Sequence, residues 1–312
     1  MVLLHFFRRF AHKRYACSFA VAHLDHGLRE DSLLQAAELA SYCAVQEIPF
    51  FSERRIPLRL GIQSSLEARA RSLRYAWFTE LVHRYSFDGV FTAHHATDQL
   101  ETALMQWVRG TSVPQGMRPL TRLEYGGRAL WVARPFLGIS RADLENYHDY
   151  HQLPHWEDAS NQDPRFMRNR FRHQLLPLLR TENPNLEATI TEHTLVIQQE
   201  QDYLRNGMLS HYRECVHEIV NNGQNEASYV LDLKPFSVLH VAIQRLMFKE
   251  ILTQLQKGGG EAFSLRHIEA LHQLTFAQSH KVLQLPLGVA VAKQKRSLSF
   301  VRRNQNALNP SG

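Results

Sequence analysis

An alpha/beta fold, with a parallel sheet and flanking helices in its first part and a smaller, mostly helical domain after it, is what the sequence predicts. Two patterns carry the prediction. Short apolar runs alternate with helical segments through the first half, and strands that alternate with helices pair in parallel. Beyond Asn183-Pro184-Asn185 the alternation gives way to long helical stretches, which places a domain boundary near residue 185. A chain of 312 residues has room for both parts, because single cores stop growing near that length.

The first strand is read at Ser18-Phe19-Ala20-Val21-Ala22-His23-Leu24, a short apolar run that ends in the turn-like Asp25-His26-Gly27, as a buried parallel strand entering a loop does. In the segment that follows, Leu33, Ala36, Ala37, Ala40 and Ala44 recur at helical spacing, with Asp31 or Ser32 able to cap the start. Phe50 to Ile56 reads as a second strand, and Ser64 with Glu67 has capping-box spacing before a helix that runs to about Tyr85. Gly89-Val90-Phe91-Thr92-Ala93 supplies a third strand, followed by a helix from Asp98 to Arg109. Trp131-Val132-Ala133 is a fourth strand ahead of a helix capped by Ser140 with Asp143. Near the end, Gly258-Gly259-Gly260 marks a loop. Val282-Leu283-Gln284-Leu285 and Leu298-Ser299-Phe300-Val301 flank the basic turn Lys293-Gln294-Lys295-Arg296, which suggests a small hairpin.

Composition narrows the class. Hydrophobic residues at 44% and charged residues at 21% are ordinary for a globular protein. No run approaches a membrane span, and the apolar core of Met1 to Arg9 is too short for a signal peptide, so a cytoplasmic protein without a membrane partner is expected. Cys17, Cys43 and Cys215 form no CxxC pair, which excludes a disulfide framework and a four-thiolate zinc site. The excess of +6 charges is compatible with a polyanionic partner.

Three clusters could carry chemistry. His94-His95-Ala96-Thr97-Asp98-Gln99-Leu100-Glu101-Thr102 stands where a strand ends and a helix begins, the edge at which open alpha/beta sheets bind ligands. Along that helix Leu100, Ala103, Leu104, Trp107 and Val108 form an apolar stripe, with Asp98, Glu101 and Thr102 opposite. Two carboxylates and His94 could meet one ligand there. A solvated helix face with an acidic first turn is the plainer reading of the same spacing, and a His-His-x-x-Asp metal site would need an outside ligand that the sequence does not identify. In the second cluster, Ser65 to Tyr75, Arg71 and Arg74 share a face; guanidinium forks suit phosphate oxygens, although an arginine-rich helix is more often plain surface. In the third, Asp163-Pro164 marks a helix start and Arg165, Arg168 and Arg172 stack along one side, fit for a phosphate backbone, a nucleotide or simple solvation.

These segments, in this order, resemble the conserved blocks of tRNA(Ile)-lysidine synthetases: Ala22 to Arg29, Glu67 to Tyr75, His94 to Thr102 and Asp158 to Arg172, with Arg134-Pro135-Phe136-Leu137-Gly138-Ile139-Ser140-Arg141 and Leu153-Pro154 also fitting. The resemblance implies an adenine-nucleotide alpha-hydrolase-like, N-type ATP pyrophosphatase fold. The catalytic domain would occupy residues 1–185 and a helical tRNA-binding domain residues 186–312. It implies a ligase that uses ATP and Mg2+ to activate C2 of the wobble cytidine, position 34, of the isoleucine tRNA with a CAU anticodon. L-lysine then displaces AMP to give lysidine. It implies that Asp98 and Glu101 bind lysine and that His94 lies near the reacting phosphate. Arg71, Arg74, Arg168 and Arg172 would contact ATP or tRNA, and His23, His26 and Asn169 would help hold the nucleotide. A homodimer is compatible with the family.

The sequence departs from the family in two places. The family opens with a strand, a Ser-Gly-Gly-x-Asp-Ser loop that cradles ATP phosphates and a helix; Met1-Val2-Leu3-Leu4-His5 corresponds to the helix, so the first strand and the loop are missing. Losing a central strand would expose two apolar edges, so a misplaced start codon or a truncated gene model is expected rather than an evolved design. Arg109 to Met117 is also shorter and poorer in glycine than the corresponding family loop. Two other functions compete: a tRNA 2-thiocytidine synthetase, which relies on paired cysteines absent here, and a tRNA-binding remnant without turnover.

Overall fold

The computed structural model describes residues 1–27, 32–56, 66–111, 113–154, 167–220, 227–256 and 263–302. They divide into two compact units, one formed by residues 1–103 and 116–192 and the other by 104–115 and 193–312. Ser64, Asp31, Asp163, Pro164, Arg165 and the Gly258 to Gly260 loop lie outside the described residues, as do Arg29 and the segment from Asp158 to Phe166.

The first unit begins with α1 (Val2–Phe6), a π-helical turn and α2 (His12–Tyr15). Next come β1 (Val21–Asp25), α3 (Ser32–Val45), β2 (Phe50–Arg54), α4 (Leu66–Tyr85), β3 (Val90–Phe91) and α5 (Ala96–Val108). The series closes with β4 (Leu120–Tyr125), β5 (Arg128–Ala133), α6 (Arg141–Tyr150), α7 (Met167–Arg170), a second π turn (Phe171–Leu175) and α8 (Leu176–Glu182). The parallel sheet is present in two pieces. β1 pairs with β2 in parallel, and a separate sheet has the order β3-β5-β4, with β3 parallel to β5 and β4 antiparallel to it.

Ser140 caps α6 as its spacing with Asp143 predicts, accepting the Asp143 backbone N–H at 3.0 Å. In α3 the buried side is not the predicted stripe: Leu33 is 56% exposed whereas Cys43 is fully buried. Small alanines give that helix little apolar area with which to fix its face. β4 escaped sequence reading because Leu120-Thr121-Arg122-Leu123-Glu124-Tyr125 carries a charge at every second position after its first pair. It is an outer strand of its sheet, and there the alternate residues face away from the core.

The core of this unit joins Leu24 of β1, Tyr75, Trp77, Phe78, Leu81 and Val82 of α4, and Leu130 and Val132 of β5. Each of these large side chains contributes about 1.5–3 kcal/mol by leaving water, which holds α4 against the sheet and fixes where its arginines emerge.

The second unit contains most of α9 (Leu186–Cys215), then β6 (Val216–Val220), β7 (Ala227–Asp232), α10 (Leu233–Ser237), α11 (Val241–Gln256), α12 (Leu265–Thr275), β8 (Val282–Leu285), β9 (Val289–Lys293) and β10 (Ser297–Arg302). It carries a five-stranded antiparallel sheet in the order β6-β7-β10-β9-β8. The expected hairpin is thus corrected. β8 and β10 are not neighbours, because Val289-Ala290-Val291-Ala292-Lys293 inserts between them with Val289 and Val291 fully buried. Small alternating residues at that position carry a weak strand signal in sequence.

Candidate active site

The site is built where β3 and β5 end. The Thr92 N–H donates to the Ala133 carbonyl at 2.9 Å, extending the parallel pairing by one residue. The chain then leaves β3 through His94 and His95 into α5, and leaves β5 through Arg134. Both exits lie at the carboxyl edge of parallel strands, where side chains converge on ligands.

Asp98 and Glu101 are not on a solvated face. Both are buried, at 8% and 0% exposure, while Trp107 and Val108, predicted to lie on the apolar stripe, are 68% and 64% exposed. The plainer reading therefore fails: the first two turns of α5 are enclosed on both sides. The Asp98 carboxylate accepts the backbone N–H of His95 at 3.0 Å and stands 3.5 Å from His95 Nε2.

The remaining carboxylate oxygens face two arginines, one on α7 and one on the π turn that follows it. Arg168 donates through Nε to Glu101 at 2.5 Å and through Nη2 to Asp98 at 2.5 Å. Arg172 donates through Nε to Glu101 at 2.7 Å and reaches Asp98 at 3.4 Å. Each guanidinium thus spans both carboxylates, and two positive charges meet two negative ones. Pairing of this kind is what makes buried charge tolerable. Arg168 and Arg172 lie one helical turn apart, as the sequence predicts, but their partners are carboxylates of the chain itself; Arg165 lies outside the described residues.

His94 sits beside this cluster, its Nδ1 at 2.8 Å from Thr92 Oγ1. Burial pushes its pKa down to about 4; Asp98 opposes the shift, and Arg134, Arg168 and Arg71 reinforce it. The imidazole is therefore neutral at pH 7, a hydrogen-bonding group in a positive field rather than a cation.

Arg71 and Arg74 are divided between two places. The Arg71 guanidinium lies 4.9 Å above the Tyr75 ring and contributes to the field at His94. Arg74 approaches His26 Nε2 at 3.4 Å, at the end of β1, where burial lowers the pKa of both His23 and His26. Asn169 is buried on α7.

The short loop before β4 is tied to α5. Gln99 donates to the Met117 carbonyl at 3.1 Å and accepts the Met117 N–H at 2.6 Å, while a Cβ on Gly116 would lie 2.5 Å from the Gln99 amide.

Sequence reading gave no role to Arg134, and weighed His95 only as part of a His-His-x-x-Asp metal site. Arg134 is 4% exposed, and a residue directly after a parallel strand at the same sheet edge as His94 was the signal available.

A phosphate-bearing ligand fits a neutral imidazole ringed by guanidinium groups. Among the described residues no group of three or more His, Cys, Asp or Glu side chains is disposed to hold a metal ion, and the carboxylates of α5 are engaged by arginine.

A positively charged edge on an alpha/beta sheet suits a nucleotide, and the chain belongs to the PP-loop family, whose domain model matches residues 1–179. The relatives are more particular. A TilS substrate-binding domain model matches residues 231–308. The tRNA(Ile)-lysidine synthase of Nostoc is 27% identical over 303 residues, covering 95% of this chain and 86% of that protein. That of Bacillus licheniformis is 27% identical over 302 residues, covering 95% and 62%. A bifunctional TilS/HprT protein of Listeria innocua is 29% identical over 288 residues, 91% of this chain but 43% of that one. The chain thus spans less than half of that longer relative. Among solved structures, the U34-tRNA thiolase NcsA of Methanococcus maripaludis, with its [4Fe-4S] cluster, aligns with a TM-score of 0.50 at 10% identity, over 63% of this chain and 68% of that one. That likeness concerns the fold alone.

Proposed function

We propose that this chain serves the ATP-dependent attachment of L-lysine to C2 of cytidine 34 in the isoleucine tRNA with a CAU anticodon. The observation that carries the reading is the buried four-ion cluster of Asp98, Glu101, Arg168 and Arg172 beside His94. In this reading the cytidine C2 oxygen attacks the α-phosphorus of ATP and pyrophosphate leaves. The lysine side-chain amine then adds at C2 and AMP departs with the bonding pair of the C2–O bond.

The residues divide the work by charge. Asp98 and Glu101 present acceptor oxygens spaced for a cation, and an ammonium group enters by exchange with a guanidinium. Arg172 is the looser partner of Asp98, at 3.4 Å. A guanidinium so released is free to meet phosphate, so amine binding and phosphate contact would be linked. Arg71 and neutral His94 face the nucleotide phosphates, and His23, His26 and Arg74 form the second nucleotide contact at the end of β1. Mg2+ is the expected companion ion of ATP. The second unit, matched over residues 231–308 by the TilS substrate-binding model, is the tRNA-binding part, in a cytoplasmic protein. No helix among the described residues is long and apolar enough to cross a membrane.

The test is pyrophosphate release by the protein as its own cells make it. Release that requires ATP, lysine and this tRNA together, with lysine appearing in the tRNA, supports the reading. Binding of the tRNA with no turnover under those conditions would replace it with the remnant interpretation.

A further inference from the structure

Arg134 is a buried cation with no anion. It is 4% exposed, and its Nη1 is anchored by the Arg118 carbonyl at 2.7 Å and Thr121 Oγ1 at 2.9 Å. Tyr75 hydrogen-bonds the same guanidinium, but its Nε has no hydrogen-bond partner, and no carboxylate among the described residues pairs with it. The contrast with Arg168 and Arg172, each spanning two carboxylates, is direct. Arginine does not shed its proton in proteins. A buried guanidinium without a counter-anion is costly to keep, and an anion at this place would offset that cost.

Its position says which anion. Arg134 follows the last residue of β5, and Ala133 is in register with Phe91 at the end of parallel β3. Arg134 and His94 therefore leave the same sheet edge side by side. Of the three guanidinium groups that act on His94, Arg134 has the largest effect, followed by Arg168 and Arg71. This is a convergence of positive groups with a buried, unsatisfied Nε–H donor, an arrangement that suits the oxyanions of a phosphate chain.

We propose that Arg134 is a phosphate-binding residue of the nucleotide site, donating from Nε to an oxygen of the pyrophosphate group that ATP loses. The inference rests on the reading of this edge as a nucleotide site, and extends it to a residue outside the α5 and α7 cluster. A purely structural role is the competitor: the two Nη1 bonds hold the start of β4, and they need donors rather than charge.

The two are separated by titrating the protein with inorganic pyrophosphate, without lysine or tRNA. In wild-type protein labelled with nitrogen-15 at arginine, the Arg134 Nε–H resonance shifts on saturation, and the His94 pKa rises as the anion offsets the positive field. Arg134→Gln, which keeps a donor for Arg118 and Thr121, weakens pyrophosphate binding by about 10- to 100-fold, the range for losing a charge-assisted hydrogen bond. Arg134→Lys falls between the two. An unmoved Nε–H resonance at saturating pyrophosphate, no pyrophosphate binding by wild type, or equal affinity in a folded Arg134→Gln variant would overturn the proposal. If Arg134→Gln does not fold, the wild-type resonance and Arg134→Lys decide. Because no lysine enters the experiment, its outcome is independent of whether Asp98 and Glu101 bind the amine.

Discussion

The two units of this chain bury different things. The second encloses a large apolar centre, with Phe236, Phe248, Phe300, Met247, Ile251 and Leu252 all at 1% exposure or less, and its buried Gln244 and Lys293 donate to backbone carbonyls. The first encloses charge: Glu101 is as inaccessible as Leu100 beside it, and Asp98 and Arg134 are buried too. Apolar burial is stabilising without direction, whereas buried charge is stabilising only in one geometry. The comparison teaches that the second unit is built to stay folded and the first is built around a site whose ions must be matched.

The comparison breaks first if the apolar centre is not the stronger of the two. Phe248→Ala, which deletes a ring packed 5.0 Å from Phe236, is expected to cost about 4 kcal/mol, read from urea unfolding. A loss below about 1 kcal/mol would mean that the centre relaxes around the cavity.

Glu101→Ala comes next, with an expected cost of about 3 kcal/mol, because both Arg168 and Arg172 lose an acceptor. Stability indistinguishable from wild type would show that water already reaches those arginines.

The protonation of His94 sharpens the contrast. Its folded pKa of about 4 lies below its ordinary value of 6.5, so the unfolded chain binds more protons between those limits. Stability is then complete above about pH 6.5 and falls as pH drops toward 4, by about 2 kcal/mol after allowance for partial exposure. Proton NMR of the imidazole checks this, and a midpoint near 6.5 in the folded protein would contradict it.

Gly116→Ala is expected to cost about 1 kcal/mol, since φ there is +61° and the new Cβ meets the Gln99 amide; an unchanged melting temperature would refute the clamp. The smallest effect belongs to Glu124→Ala, whose pair with Arg122 is exposed on both sides and is worth about 0.5 kcal/mol at most. A larger loss would show that surface pairs contribute more to this unit than its buried ions suggest.

Much of the fold was legible, because β1, β3 and β5 carry short apolar runs, Phe50-Phe51 opens β2, and Ser140 with Asp143 carries an unambiguous cap. What escaped, β4, β6 and β7 with their polar alternation and β9 with its small residues, depends on tertiary partners more than on local pattern. In the site, the residue types of Asp98, Glu101, Arg168 and Arg172 were readable. Their mutual pairing was not, since spacing along one helix does not tell whether its acidic face meets water or another helix. Arg134 stayed hidden for the same reason: its significance lies in what it lacks, which only three dimensions reveal.

The central claim is that the α5 carboxylates receive the amine of lysine, and it is tested most directly by Asp98→Asn. The KM for lysine in tRNA-dependent pyrophosphate release is predicted to rise about tenfold or more, with the KM for ATP changed far less. An unaltered lysine KM would contradict the claim and leave Asp98 as a positioning residue for Arg168 and Arg172.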